Sequence, residues 1–190
     1  DSTKLSEAIG DRAMAEVWAA HDRAARDLLP QWRGREIDKT DGMLLMFDTA
    51  ADAVSYALHY HGALASMPMP LKARAGLHVG PVILRENKAE DVARGAKPLE
   101  VDGLAKPTAA RVMSLARGGQ TLLTPEARED LGKTVLKTQS HGHWQIKGVV
   151  DPVELFEVGF PEDRFIVPSD SEKVFRVVKT GDWWMPVKNI

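Results

Sequence analysis

An α+β sandwich, one sheet with helices packed against it, is the fold class that three features of the 190-residue sequence predict. Segments with apolar residues at three-to-four spacing interleave with short apolar or alternating runs. Neighbouring short runs are joined by tight turns, which makes their pairing antiparallel. Proline or glycine signals separate most of the segments, and the resulting order is α-β-β-α-β-α-β-α-β-β.

From Asp11 to Leu29 the residues Met14, Val17, Trp18, Ala25, Leu28 and Leu29 repeat with helical spacing, and Pro30 ends the pattern. Gly34 to Asp38 reads as a strand, Asp41-Gly42 as a hairpin turn, and Met43 to Phe47 as an apolar partner strand. Ala50 to Ala65 is helical until Met67-Pro68-Met69-Pro70 stops it. Leu71 to His78 alternates as a strand does, and Gly80-Pro81 bends it into a continuation, Val82 to Leu84; Arg85 to Lys97 is polar and reads as a loop. The stretch Leu104 to Ala116 is a helix with Pro107 in or before its first turn, and Gly118-Gly119 cap it. Gln120 to Leu123 is a strand, Thr124-Pro125-Glu126 starts a helix that runs to about Leu131, and Trp144 to Gly148 with Val153 to Val158 close the pattern as strands.

Residues 1–159 are thus one domain. After Phe160 a polar, proline-interrupted linker leads to a small hairpin, Lys173 to Val178 and Trp183 to Val187, too small to fold alone. Residues 160–190 are expected to pack back on the domain or to lead into additional domains of the same polypeptide.

Composition narrows the function classes. Lys plus Arg number 25 against 27 Asp plus Glu, a net charge of −2, so no broad cationic surface drives nucleic-acid or membrane binding. No apolar run reaches the ~18 residues a bilayer span needs. With no cysteine there is no disulfide, thiolate zinc site or thiol nucleophile, which fits a cytoplasmic protein. The histidines show no metal-ligand spacing with a carboxylate.

Several segments carry chemistry together that none carries alone. Asp41 in Asp41-Gly42 is by itself an ordinary hairpin turn. In chain order, however, Asp1-Ser2-Thr3, Asp41-Gly42-Met43-Leu44-Leu45-Met46-Phe47, Arg74-Ala75-Gly76-Leu77-His78-Val79-Gly80-Pro81-Val82, Gly103 through Arg111 with Gly119-Gln120-Thr121-Leu122-Leu123, and Ile146-Lys147-Gly148 with Pro152 to Val158 resemble the successive motifs of the class III adenylate and guanylate cyclase catalytic domains. The resemblance implies a ferredoxin-like cyclase fold, a mostly antiparallel sheet with helices on one face, whose first strand would lie before Asp1.

It also implies a nucleotide cyclase that joins a ribose 3′-hydroxyl to the α-phosphate of a nucleoside triphosphate, ATP favoured, and expels pyrophosphate at a site shared by a homodimer. Two Mg²⁺ or Mn²⁺ ions would be bridged by two aspartates, of which Asp41 matches the second; the first would stand three residues before Asp1. Arg111 matches the arginine that meets charge on the α-phosphate, Lys147 a lysine for the terminal phosphates, and the amides near Ser2 and Thr3 an anion nest. On its own Arg111 could equally cap the sheet edge or pair with Glu100 or Asp102, but the family spacing of Ala109-Ala110-Arg111 from Gly103 favours the functional reading. Two base-selecting positions depart from the family pattern: Ile37, four before Asp41, and Glu100, eleven before Arg111. Pro107 replaces the ribose-orienting asparagine. The rival expectation is a cyclase-homology module without turnover that dimerises or senses nucleotide within a signalling protein.

Overall fold

The computed structural model of the chain describes residues 2–187, apart from the side chain of Ser2. Helices α1 (Ser2–Ile9) and α2 (Asp11–Leu28) come first, and a 3-10 turn at Leu29–Trp32 continues α2 through Pro30. A hairpin follows, β1 (Arg35–Lys39) and β2 (Met43–Met46), then α3 (Ala50–Ala65). Beyond it lie β3 (Ala75–Leu77), β4 (Ile83–Glu86), the single turn α4 (Ala89–Val92) and β5 (Leu99–Asp102). The chain continues through α5 (Ala105–Leu115), β6 (Thr121–Leu123) and α6 (Pro125–Leu131). Strands β7 (Lys137–Ile146), β8 (Val153–Gly159), β9 (Val174–Thr180) and β10 (Trp183–Pro186) complete it. No helix among the described residues is long and apolar enough to cross a membrane.

The sheet has the order β10-β9-β7-β8-β6-β3. Every neighbouring pair in it is antiparallel except β3 with β6. Strand β6 is buried on both faces, and its alternation sorts two cores. Leu122 meets Val112 and Leu115 of α5, together with Trp144, Ile146, Leu155 and Val174. Leu123 on the opposite face meets Val54 and Leu58 of α3, with Ala127 and Leu131 of α6. Helices therefore cover both faces, where the sequence resemblance had implied one.

Two hairpins stand outside this sheet. β1–β2 and β4–β5 each form their own two-stranded ribbon. The expected continuation of β3 into Val82–Leu84 is thus corrected: the chain leaves the sheet after Leu77, and β4 pairs with β5 instead, its last residues Arg85 and Glu86 entering the segment read as loop. β4 is exposed along its whole length, so no buried face marks where it ends, and β5, with Val101 buried, lies between the segments that the sequence pattern assigned. β7 is likewise longer than Trp144–Gly148 suggested. Its first half is rich in Thr, Ser, Gly and His, and a bulge between Ser140 and His143, with Gly142 at φ 79°, breaks the alternation.

The chain from Phe160 to Asp170 runs over the domain rather than away from it. Arg117 Nε donates to Val167 O at 2.9 Å, Gln120 Nε2 donates to Ile166 O, and Lys137 Nζ reaches Asp163 O at 2.6 Å. Gln120 also donates to Glu157, which is held by buried His141 at 2.6 Å. β9 then joins the sheet beside β7, His143 opposite Val177, and Trp184 of β10 packs on His143 with ring centroids 4.7 Å apart.

The tightest approach in the fold is at Gly76. A Cβ there would fall 2.2 Å from the backbone nitrogen of Met113 and 2.6 Å from its Cα, so α5 rests on β3 backbone to backbone. Gly76→Ala is expected to lower stability by about 1–3 kcal/mol through overpacking. Urea unfolding measures this; an unchanged midpoint would mean that α5 can lift without consequence.

Candidate functional site

The residues singled out from the sequence fall into three groups. Arg111 projects from α5, exposed, and one guanidinium nitrogen comes within 3.6 Å of where a Cβ on Gly148 would sit. Gly148 has φ 83° and turns the chain between β7 and β8 directly after exposed Lys147. The helix and the turn thus bring Arg111 to the Lys147-Gly148 corner. Among the described residues neither cation makes an ion pair: Asp102, considered as a partner for Arg111, is taken by Arg85 at 3.1 Å, and Glu100 accepts from Asn87 at 3.4 Å. Two unneutralised cations at one corner form a surface for an anion.

Asp41 forms the second group alone. It tips the three-residue loop between Lys39 and Met43, which Thr40 N closes by donating to Gly42 O at 2.9 Å. The Asp41 carboxylate is exposed and makes no hydrogen bond or ion pair among the described residues. No cluster of three or more His, Cys, Asp or Glu side chains able to hold a metal occurs among the described residues. One unneutralised carboxylate suits a hard cation that keeps water and phosphate oxygens as its other ligands, the usual manner of Mg²⁺, and does not form a protein cage.

The third group lies along β1. Ile37, counted as a base-selecting position, is 7% exposed and has its side chain in the core. A register shift between Glu36 and Asp38 accompanies it. The neighbouring Asp38 instead faces β5 and α5, pairing with Lys97 at 2.6 Å and Lys106 at 3.9 Å. Asp38, Lys97 and Lys106 were not singled out from sequence; only the strand alternation, which puts Asp38 on the face opposite Ile37, could have signalled the first of them. At the N-terminus, Thr3 is exposed on α1, while Asp1 and the Ser2 side chain fall outside the described residues, so the expected nest there has no described geometry.

β1 is gripped by charge on both flanks. Arg26 of α2 forks onto Glu36 at 2.6 and 2.9 Å, and Asp22 of α2 meets Lys39 at 2.8 Å. Arg26 holds Glu36 below the usual carboxylate range despite partial burial. Burial would raise Asp22, but hydrogen bonds and charges from Lys39 and His21 outweigh it and lower the carboxyl. Lys97 in the same way depresses Asp38.

Because the Asp38 carboxyl in the folded chain lies below its ordinary value of 3.8, its pairing stabilises the fold above that pH and fades as pH falls through the depressed value. Asp38→Asn should therefore lower Tm at neutral pH, and the gap to wild type should close below pH 3.8. Melting curves across that range check it; a gap that persists in acid would assign the effect to packing instead of charge.

Two surface cavities, of about 520 and 330 Å³, lie elsewhere, between α6 and the β7–β8 turn and between the N-terminal helices and Met67–Met69. Neither takes in Asp41, Arg111, Glu100 or Lys147.

No protein-family model and no curated protein matches the sequence. Solved structures do. An adenylate cyclase from Trypanosoma brucei, solved in its monomeric state, superposes with TM-score 0.78 at 21% identity over 88% of each chain. The adenylyl cyclase CyaB from P. aeruginosa gives 0.71 at 19% over 86% of this chain and 89% of its own. The guanylate cyclase domain of RhGC from Catenaria anguillulae, in complex with GTP, gives 0.70 at 17% over 84% and 91%. These matches show that the fold of this chain is that of the class III adenylyl and guanylyl cyclase catalytic domains.

Proposed function

We propose that the chain is a nucleotide cyclase domain acting as a homodimer, with the Arg111–Lys147 corner of one protomer facing the Asp41 tip of its mate. The observation that carries this is the pairing of two exposed cations without carboxylate partners at one corner of a cyclase fold. A triphosphate brings up to four negative charges, and Arg111 and Lys147 are positioned to neutralise them.

The reaction follows from positioning and charge. The ribose 3′-oxygen forms a bond to the α-phosphorus as the bond to the pyrophosphate oxygen breaks, and the hydroxyl proton leaves to solvent. Arg111 meets the charge that builds on the α-phosphate oxygens, and Lys147 holds the departing pyrophosphate. Asp41 would serve as one ligand of Mg²⁺ or Mn²⁺; when bound, such an ion acidifies the hydroxyl and shields the phosphates. Glu100 is an acceptor suited to an exocyclic amine such as adenine N6 or cytosine N4; guanine N2 offers a donor too, so the preference for ATP is read from the product assay below. With Ile37 in the core, Asp38 is the β1 side chain beside it that can reach a base, and its lysine partners temper its charge.

Exposed apolar residues on one stretch of the fold support association. Val79, Val82, Ile83 (67% exposed), Leu84 and Leu104 (83% exposed) flank the β4–β5 ribbon and the start of α5. A second copy packed there would cover them.

The alternative is a module without turnover that dimerises or senses nucleotide. The deciding experiment incubates the protein with ATP, GTP, CTP and UTP in Mn²⁺ and assays cyclic product by mass. Under the enzyme reading, Arg111→Ala lowers kcat about 10³-fold or more while sedimentation remains that of the dimer. Leu104→Glu separately shifts sedimentation to monomer and abolishes turnover. Nucleotide binding by calorimetry with no product from any triphosphate would leave the sensing module standing.

A further inference from the structure

Hairpin β1–β2 presents a physical problem. It bears the Asp41 tip, yet it shares no strand hydrogen bonds with the six-stranded sheet, because it forms a separate two-stranded unit. On β1 the buried apolar side chain is Ile37, halfway along, while Phe47 presses on Gly34, where a Cβ would come within 2.5 Å of the ring, and Met43 to Met46 of β2 are half-buried. From Asp38 to the tip, β1 itself offers polar side chains, and these are held by charge.

On the α2 side the grip is continuous. Lys39, the last strand residue before the loop, meets Asp22 at 2.8 Å. Asp22 is fixed in turn by His21 at 2.9 Å and by Arg26 at 3.9 Å, and Arg26 forks onto Glu36 of the same strand. His21 is itself held by the Tyr60 hydroxyl of α3 at 2.5 Å. Asp22 is thus the junction through which α2, and α3 behind it, fix the strand residue two positions before Asp41.

We propose that Asp22 is a positioning residue for the Asp41 tip, acting through Lys39, so that α2 sets where the tip carboxylate stands. What the tip is for rests on the cyclase reading above; that Asp22 holds it does not. The Asp22–Lys39 pair is partly exposed, with 19% and 34% of the side-chain surfaces accessible, so its effect is on orientation more than on global stability.

The test is amide hydrogen exchange across 40–44 in wild type, Asp22→Asn, Lys39→Met and the double variant, with β7 and β8 as internal reference. Expected is about tenfold faster exchange at the tip in each single variant, no further gain in the double, and unchanged β7 and β8. Unchanged tip exchange in both single variants overturns the proposal, as does acceleration spread equally through β7 and β8. Should Asp22→Asn not fold, Lys39→Met decides alone. Activity is read in parallel: in an active enzyme, Asp22→Asn raises the half-saturating Mn²⁺ about tenfold with the nucleotide KM within about twofold. A fall in kcat with unchanged Mn²⁺ dependence counts against positioning. A wild type that makes no cyclic product removes the cyclase reading and leaves the exchange result to judge Asp22 by itself.

Discussion

The contact on which the rest of the molecule depends is the seat of α5 on β3 at Gly76. A helix normally stands about 10 Å from a sheet, spaced by side chains on both sides. Here the missing Cβ lets the Met113 backbone come down onto the strand, and the helix is fixed in height and rotation. That rotation turns Val112 and Leu115 into the core and sets Arg111 outward against Gly148. The corner of positive charge is therefore a consequence of a close backbone packing three strands' worth of sheet away from the β7–β8 turn.

The two halves of the candidate site are held by different physics. Arg111 and the Lys147 turn are rooted in the sheet, behind Trp144, Ile146 and Leu155, all buried. Moving them means opening a dry core, at several kcal/mol per large side chain. The Asp41 tip sits on a ribbon attached by ion pairs that are partly solvated, each worth about 0–1 kcal/mol. Charges spaced along β1 and matched on α2, on Lys97 ahead of β5 and on α5 give direction where they give little stability.

Legibility in the sequence tracked burial. α3 and α6 were read to the residue or nearly so, because the Ala50–Ala65 apolar spacing and the Thr124-Pro125 start are local signals; Thr124 does accept from Ala127 N. The end of β4 escaped because that strand is exposed throughout, and the first half of β7 because a bulge resets its alternation. Of the candidate residues, Arg111 lies beside Gly148, next in sequence to Lys147, a proximity between segments that no local pattern states, and Ile37, apolar in the sequence, is buried at a register shift of β1. Asp22 and Lys39 were invisible: nothing in a charged helix position shows which of its carboxylates has a partner elsewhere in the chain.

By itself, the sequence determined the α+β class, the order of most elements, the exposed aspartate turn at position 41 and the positions of the two cations, since each of these is written in residues adjacent or one turn apart. Tertiary structure alone decided that helices cover both faces of the sheet, that Arg111 meets Gly148, and that β1 is held from α2 and from Lys97. Those are pairings between segments tens of residues apart. Only a folded backbone sets which charge lies within 3 Å of which, because the energy of each pair is too small to announce itself in the local pattern.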